Sequence, residues 1–332
     1  MIPISFNSVP IEYVRFIQKF RKKIQGWYTS GVMGNAKAKI YVCQDCKLFF
    51  KLLLSKDHLK TIMTAKASDL PRIIEIVESK FPQLKNDREH PNDEHSELYT
   101  CLCKAFNTLG YSDPEFPNYI ITKSLDLKAC PYCNQVEIYC NKVIAEDDRQ
   151  NTIKDSELDH FYPKSRVPYL AVSLFNLVPS CSTCNGGNGK HTSDIYAERL
   201  VNPFTLKNAN GLEFKLDIVG DGLLNIKTFN QACDIQTITN DQTLVPNRKI
   251  FKIKGRYKNE LDRAKDVWIS HKKIESKGYI MAVSELSEQI GEEINISQWL
   301  NHELHIDSSN YNNAKLSKFV MDIWKQLDDN SL

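Results

Sequence analysis

The chain has 332 residues, 42% of them apolar and 25% charged, the balance of a soluble globular protein with a real core and long enough for two or three folding units. A formal net charge of +2 gives no overall basic field to argue for nucleic acid, so any basic surface has to be local. The opening MIPISFNSVP lacks the basic start and apolar run of a secretory leader, and no apolar stretch approaches the roughly 18 residues of a membrane helix; a cytoplasmic protein with no membrane partner is expected.

Tyr13, Phe16, Ile17, Phe20 and Ile24 recur at helical intervals, which predicts a helix over 9–31 that ends near Gly26 or Gly31. A second apolar-rich segment runs from Ala38 to Leu54, and Ser55 is suited to cap a third beginning at Lys56. Ser68 or Asp69 is suited to cap a fourth, LPRIIEIVESKF, with Pro71 acceptable in its first turn. The polar stretch 84–97, interrupted by Pro91, reads as a linker or exposed loop, and another helix is expected over 96–109. The first 125 residues therefore form a mainly helical region. After the central segment, ERLVNPF at 198–204 ends in a proline turn, and 212–229 alternates apolar and polar residues on both sides of Gly220-Asp221-Gly222, a hairpin signal. Residues 246–277 look helical and carry eleven Lys or Arg against four Asp or Glu. A last amphipathic helix is expected from Asn313 to Leu327.

Between the two flanks lie CPYC at 130–133, LDH at 158–160 and SCSTCN at 180–185. Ten cysteines in a large chain without an export signal favour metal ligands over disulfides, because a cytosolic setting keeps thiols reduced and neighbours spaced CxxC close too short a loop for a structural bridge. Cys130, Cys133, Cys181 and Cys184 make the ligand set of a tetrahedral structural zinc. Asp159 beside His160 is the pairing a metal-dependent hydrolase needs for a cation and a general base.

LDHFYPKS at 158–165, FNLVPSC at 175–181 and CNGGNGK at 184–190 resemble the HNH, or ββα-metal, endonuclease motif in its zinc-clipped form, over about 127–203. The resemblance implies an α+β chain: a helical region at 1–125, a zinc-bound ββα-metal module at 126–204, and a hairpin with basic helices at 205–332. It implies that Asp159 binds a catalytic Mg2+ or Mn2+, that His160 takes a proton from water, and that Asn176 holds the histidine loop. Asn185 would be the second ligand of that cation, with Asn188 or His191 as the alternatives left open by the glycine-rich turn after it. Lys190 stands where the family often has a basic residue near the scissile phosphate. The layout from CPYC to LVNPF is also similar to the HNH subunit of Septu-type anti-phage systems (PtuB-like), including versions attached to a retron. That similarity implies an ABC/SMC-like ATPase partner (PtuA-like) and a nucleic-acid substrate, DNA expected over RNA.

Other features have plainer readings. Cys43 and Cys46, with Cys101 and Cys103 elsewhere in the same half, could open a second zinc site, but in a helix-like stretch buried thiols are expected; Cys140 and Cys233 read as structural. His302-Glu-Leu-His305 lacks the spacing that puts two rings on one helical face and reads as a solvated helix end. The basic run 248–277, with Phe251, Tyr257 and Trp268, could contact phosphates and stack on bases, or be a solvated face over core aromatics. The competing functional class is a non-catalytic subunit that uses the zinc module as a scaffold or clamp.

Overall fold

The computed structural model describes residues 1–34, 39–144, 150–154, 156–187, 189–191, 195–218, 226–291 and 296–329. Helix α1 (Ile11–Ser30) buries Tyr13, Phe16, Ile17, Phe20 and Ile24 and stops at Gly31, which takes the left-handed φ of 70° that ends many helices. A two-residue ladder, β1 (Val32–Met33) with β2 (Ile40–Tyr41), leads into α2 (Gln44–Leu54). Helices α3 (His58–Thr64), α4 (Leu70–Lys80), α5 (Pro82–Glu89), α6 (Glu97–Leu102) and α7 (Asn118–Leu125) follow, and α6 runs on as a π-helical segment, Cys103–Tyr111.

Two expectations for this half need correction. Lys56 lies in the left-handed region at φ 49°, so the third helix starts at His58, and the Ser55 hydroxyl instead closes α2 by donating to the Leu52 carbonyl at 2.7 Å. The polar stretch 84–97 is in part the helix α5 rather than a linker. Its charges turn inward: the Arg88 guanidinium holds Glu78 of α4 through two bonds of 2.6 and 3.1 Å, and Asp87 accepts from the Ser96 amide and hydroxyl. Hydrophilic composition there builds a buried clasp between helices, which hydropathy alone does not distinguish from a solvated loop.

In the centre, β3 (Cys140–Ile144) pairs with β4 (Gln150–Lys154), and β5 (Glu157–His160) pairs antiparallel with β6 (Leu177–Ser180), placing Asp159 opposite Val178. One-turn helices α8 (Ser182–Asn185) and α9 (Ile195–Glu198) come next. Further on, β7 (Leu212–Ile218) pairs with β8 (Cys233–Thr239) from Leu212↔Thr239 to Ile218↔Cys233. The hairpin exists, but the strand that pairs with β7 lies beyond the expected 212–229, at Cys233–Thr239. The turn at 220–222 lies outside the described residues, and Phe229 is buried in a short helix, α10 (Phe229–Ala232). CDIQTIT alternates as well, burying Cys233, Ile235 and Thr237, and takes the pairing.

The basic stretch 246–277 is not one helix. It divides into α11 (Val245–Ile250), α12 (Ile253–Tyr257) and α13 (Leu261–Glu275), with Lys252 at φ 51° breaking the first from the second. Helices α14 (Lys277–Ile290), α15 (Ile296–Glu303) and α16 (Ser317–Asp328) complete the chain; α16 begins later than expected because Leu316 is left-handed at φ 60°. The architecture is α+β and mainly helical, with small antiparallel ladders. No described helix is long and apolar enough to cross a membrane. Buried apolar side chains form one continuous cluster from Met1 to Leu327.

That continuity positions the central loop. Residues 161–176 connect β5 to β6, and N-terminal helices grip them by their backbone. Tyr99 donates to the Ser165 carbonyl at 2.6 Å and Asn107 to the Lys164 carbonyl at 3.2 Å. Tyr13 donates to the Val172 carbonyl, and the Ser173 hydroxyl to the Ile62 carbonyl at 2.9 Å. The π segment comes so close that a Cβ on Gly110 would lie 3.1 Å from the Val172 side chain.

Candidate functional site

None of the ten cysteines is joined in a disulfide. The sulfurs of Cys130, Cys133, Cys181 and Cys184 lie within 4.8 Å of one another, and all four residues are buried. In the CPYC turn the Asn134 amide returns to the Cys130 carbonyl at 2.7 Å, with Asn134 itself left-handed. The second pair starts where β6 ends: Cys181 caps α8 and its amide donates to Cys130 Sγ at 3.4 Å. Sulfurs about 2.3 Å from a tetrahedral ion stand roughly 3.8 Å apart, so the cluster fits a zinc site. The four thiols shift as one set: hydrogen bonds from their neighbours hold Cys133 and Cys181 below the ordinary thiol pKa, while Cys130, chiefly through burial, and Cys184, whose bond to Cys130 is outweighed by those to Cys133 and Cys181, are raised. Among the described residues no other set of three histidine, cysteine or acidic side chains gathers in this way. Cys43 caps α2, its sulfur accepting the Cys46 amide at 3.4 Å.

Beside this clip, β5 carries Asp159 and His160, 2% and 9% exposed. Both oxygens of Asp159 are engaged: Lys190 Nζ donates to Oδ1 at 2.7 Å and the Tyr132 hydroxyl to Oδ2 at 2.6 Å. The Lys190 ammonium, fully buried, also donates to the His160 carbonyl at 2.8 Å. It is delivered by a tight turn in which the Lys190 amide bonds the Cys184 carbonyl at 2.8 Å. Gly189 is required there, because a Cβ would stand 2.1 Å from that carbonyl oxygen.

His160 Nε2 lies 3.0 Å from the Ala171 carbonyl. A carbonyl only accepts, so Nε2 carries the proton and Nδ1 the lone pair in the neutral ring. Burial pushes the His160 pKa down to about 3; the Lys164 and Lys190 charges add to this while the Ala171 bond opposes it. The ring is therefore neutral at physiological pH. Tyr111, from the end of the π segment, packs edge-on against it with centroids 4.4 Å apart, and Lys164 Nζ sits 4.7 Å over the tyrosine ring. Asn176 spans the loop after His160: its Oδ1 accepts the Tyr162 amide at 2.7 Å, and its Nδ2 donates to the Tyr162 and Leu170 carbonyls at 3.1 and 3.0 Å.

Asp159, His160, Asn176 and Lys190 thus share one neighbourhood. Asn185 points elsewhere, donating to Glu157 Oε2 at 2.6 Å. Of the alternatives to it, Asn188 lies outside the described residues, and the His191 amide bonds the Asn185 carbonyl. With Lys190 and Tyr132 on both Asp159 oxygens, the residues as arranged do not fit an Asp159–Asn185 chelate for Mg2+ or Mn2+. Glu157 is exposed and Asn185 half-buried beside it. Glu157 was legible, lying two residues before Asp159 and so on the same strand face. Tyr132 sits inside CPYC, where attention goes to the cysteines, and Tyr111 is 49 residues from His160 with no local signal at all.

In the basic helices the aromatic residues turn inward, while Lys249, Lys252, Lys254, Lys258, Lys272 and Lys273 stay exposed. Phe251 stacks on Tyr132 at 4.4 Å, Tyr257 is fully buried and donates to the Cys133 carbonyl at 2.6 Å, and Trp268 packs on Phe229. His302 is exposed in the last turn of α15, with the His305 ring 6.5 Å away.

Over 66 residues the chain is 39% identical to the Septu protein PtuB of Bacillus thuringiensis, a stretch covering 20% of this chain and 23% of that protein. The chain therefore shares less than a quarter of the length of that relative. No family model and no solved structure matches the chain.

Proposed function

We propose that the chain is a zinc-stapled HNH-type endonuclease that hydrolyses nucleic-acid phosphodiesters as part of an anti-phage defence complex. The observation that carries this reading is His160: a neutral imidazole with Nε2 committed to the Ala171 carbonyl and a loop held by Asn176, beside a four-cysteine clip. In this reading zinc at Cys130, Cys133, Cys181 and Cys184 replaces part of a core and fixes the two ends of the β5–β6 unit. His160 Nδ1 takes a proton from water as its oxygen attacks phosphorus, the bond from phosphorus to the leaving sugar oxygen breaks, and that oxygen takes a proton from solvent; general-base help accelerates such a step by about 100- to 10,000-fold. Tyr111 and the Ala171 carbonyl orient the ring, and the Lys164 ammonium offsets charge that develops on the phosphate oxygens. A magnesium or manganese requirement belongs to this reading only if Lys190 withdraws from Asp159.

The defence setting and an ATPase partner of the ABC/SMC-like class draw support from the likeness to the Septu protein, and DNA is favoured over RNA as the target. The test is to purify the chain with its neighbouring gene products and incubate it with plasmid, phage DNA and tRNA, with nucleotide present. His160→Ala is expected to lower cleavage at least 100-fold while zinc content stays at the wild-type value, with a stability loss of about 1–3 kcal/mol because the Ala171 carbonyl loses its buried partner. Full cleavage by that variant removes His160 from the mechanism. The burial of His160 under Tyr111 favours a second reading, a non-catalytic clamp, which predicts persistent binding with no cleavage of any of these substrates.

A further inference from the structure

Arg256, in α12, points its guanidinium at the cysteine cluster. Nη1 lies 3.2 Å from Cys184 Sγ and Nη2 lies 3.5 Å from Cys133 Sγ, one sulfur from each CxxC pair. The third face of the fork is also placed, Nε donating to Gln135 Oε1 at 3.0 Å. Gln135 in turn donates to the Arg256 carbonyl at 3.3 Å and to Glu260 at 2.6 Å. The next residue, Tyr257, bonds the Cys133 carbonyl. A segment some 120 residues downstream of CPYC is thus joined to it by side chain and backbone together.

We infer that Arg256 is a positioning residue for the metal of the four-cysteine site, and that through it the C-terminal helices are docked on the metal's own ligands. The inference rests on reading those cysteines as a zinc site. Four thiolates on a divalent ion leave a net charge of about −2, and all four sulfurs here are buried away from water that would otherwise solvate it. A guanidinium is permanently cationic and its planar fork reaches two acceptors at once. Charge-assisted N–H···S bonds stabilise the thiolate form and draw electron density from sulfur. Both effects disfavour protonation of the ligands and slow departure of the ion. A lysine at this position keeps the charge but, as a point donor on a flexible stem, cannot serve both sulfurs from one rigid plane.

The experiment uses the full chain as wild type, Arg256→Gln and Arg256→Lys. Zinc content is measured by elemental analysis, zinc release is followed with a chromogenic chelator, and absorption spectra are taken after substitution with cobalt(II). Wild type is expected to hold zinc. Arg256→Gln is expected to release it on the order of ten- to a hundred-fold faster, the usual penalty for losing a residue that supports metal ligands, and Arg256→Lys to fall between the two. The sulfur-to-cobalt charge-transfer band is expected to move to longer wavelength in both variants, because a thiolate stripped of a donor gives up electrons more readily; a purely structural role would leave it in place. Should Arg256→Gln fail to fold, the Lys variant decides by the same two readouts. Wild-type release rates and an unmoved band overturn the role of Arg256 alone, whereas a wild type that holds no zinc overturns the zinc reading beneath it.

Discussion

Asn176 satisfies three backbone groups from one fully buried amide, and those groups belong to the loop that follows His160. Asn176→Ala strands the Tyr162 amide and two carbonyls without partners, each costing about 1–3 kcal/mol when buried. A loss of roughly 3 kcal/mol in thermal or denaturant unfolding is expected, together with loss of any cleavage. A wild-type midpoint would mean that water or a rearranged loop takes over those bonds. Lys190 and Asp159 make a different case, being 0% and 2% exposed. Removing one member of such a pair leaves an uncompensated buried charge and costs about 3–5 kcal/mol, while replacing both at once costs much less. Lys190→Met should therefore destabilise strongly, and Asp159→Asn combined with Lys190→Met should recover most of the loss. Additive losses in that double-mutant cycle would show that the two side chains do not stabilise each other.

At the level of elements, the β5–β6 connection has little regular structure of its own beyond two single turns. Its conformation is imposed by α6 with its π extension, α1 and α3. Tyr99→Phe removes a single hydroxyl, the one that donates to the Ser165 carbonyl. The expected outcome is a modest cost of about 1 kcal/mol and faster amide exchange confined to residues 161–173, read by mass spectrometry. Unchanged exchange there would release the N-terminal helices from a role in holding the loop. The other hairpin is treated in a related way. The Gln326 amide of α16 accepts from the Leu216 amide and donates to the Leu216 carbonyl, both at 2.8 Å, so the free edge of β7 is closed by a side chain instead of a third strand. Gln326→Leu is expected to destabilise by about 2 kcal/mol or more through two orphaned backbone groups.

For the whole molecule, the cysteine cluster lies where four distant stretches meet. CPYC and SCSTC supply the sulfurs, α12 covers them, and the Asn134 carbonyl and side chain reach Leu316, Tyr311 and Lys318 at the start of α16. Removal of zinc by a strong chelator should therefore do more than unfold a local knuckle. Cleavage by a nonspecific protease is expected to appear around 245–260 and 311–318 as well as in the central segment, reversing when zinc is restored. Nicking limited to the central segment would show that the C-terminal helices dock without the metal.

The sequence by itself was enough for what is written in short intervals. The stripe on α1, the two CxxC pairs, the Asp159–His160 dipeptide and the mainly helical α+β class all rest on spacings of a few residues, and local periodicity carries them. The tertiary structure alone decided what those residues face. It turned the polar stretch around Arg88 inward, gave β7 its hairpin partner at 233–239, committed the Asp159 oxygens to Lys190 and Tyr132, and brought Tyr111 and Arg256 to the two halves of the site. Each of these is a contact between residues far apart in the chain, or a choice between strands with the same alternation. Such choices are settled by the burial and hydrogen-bond partners available in the folded whole, which no local pattern encodes.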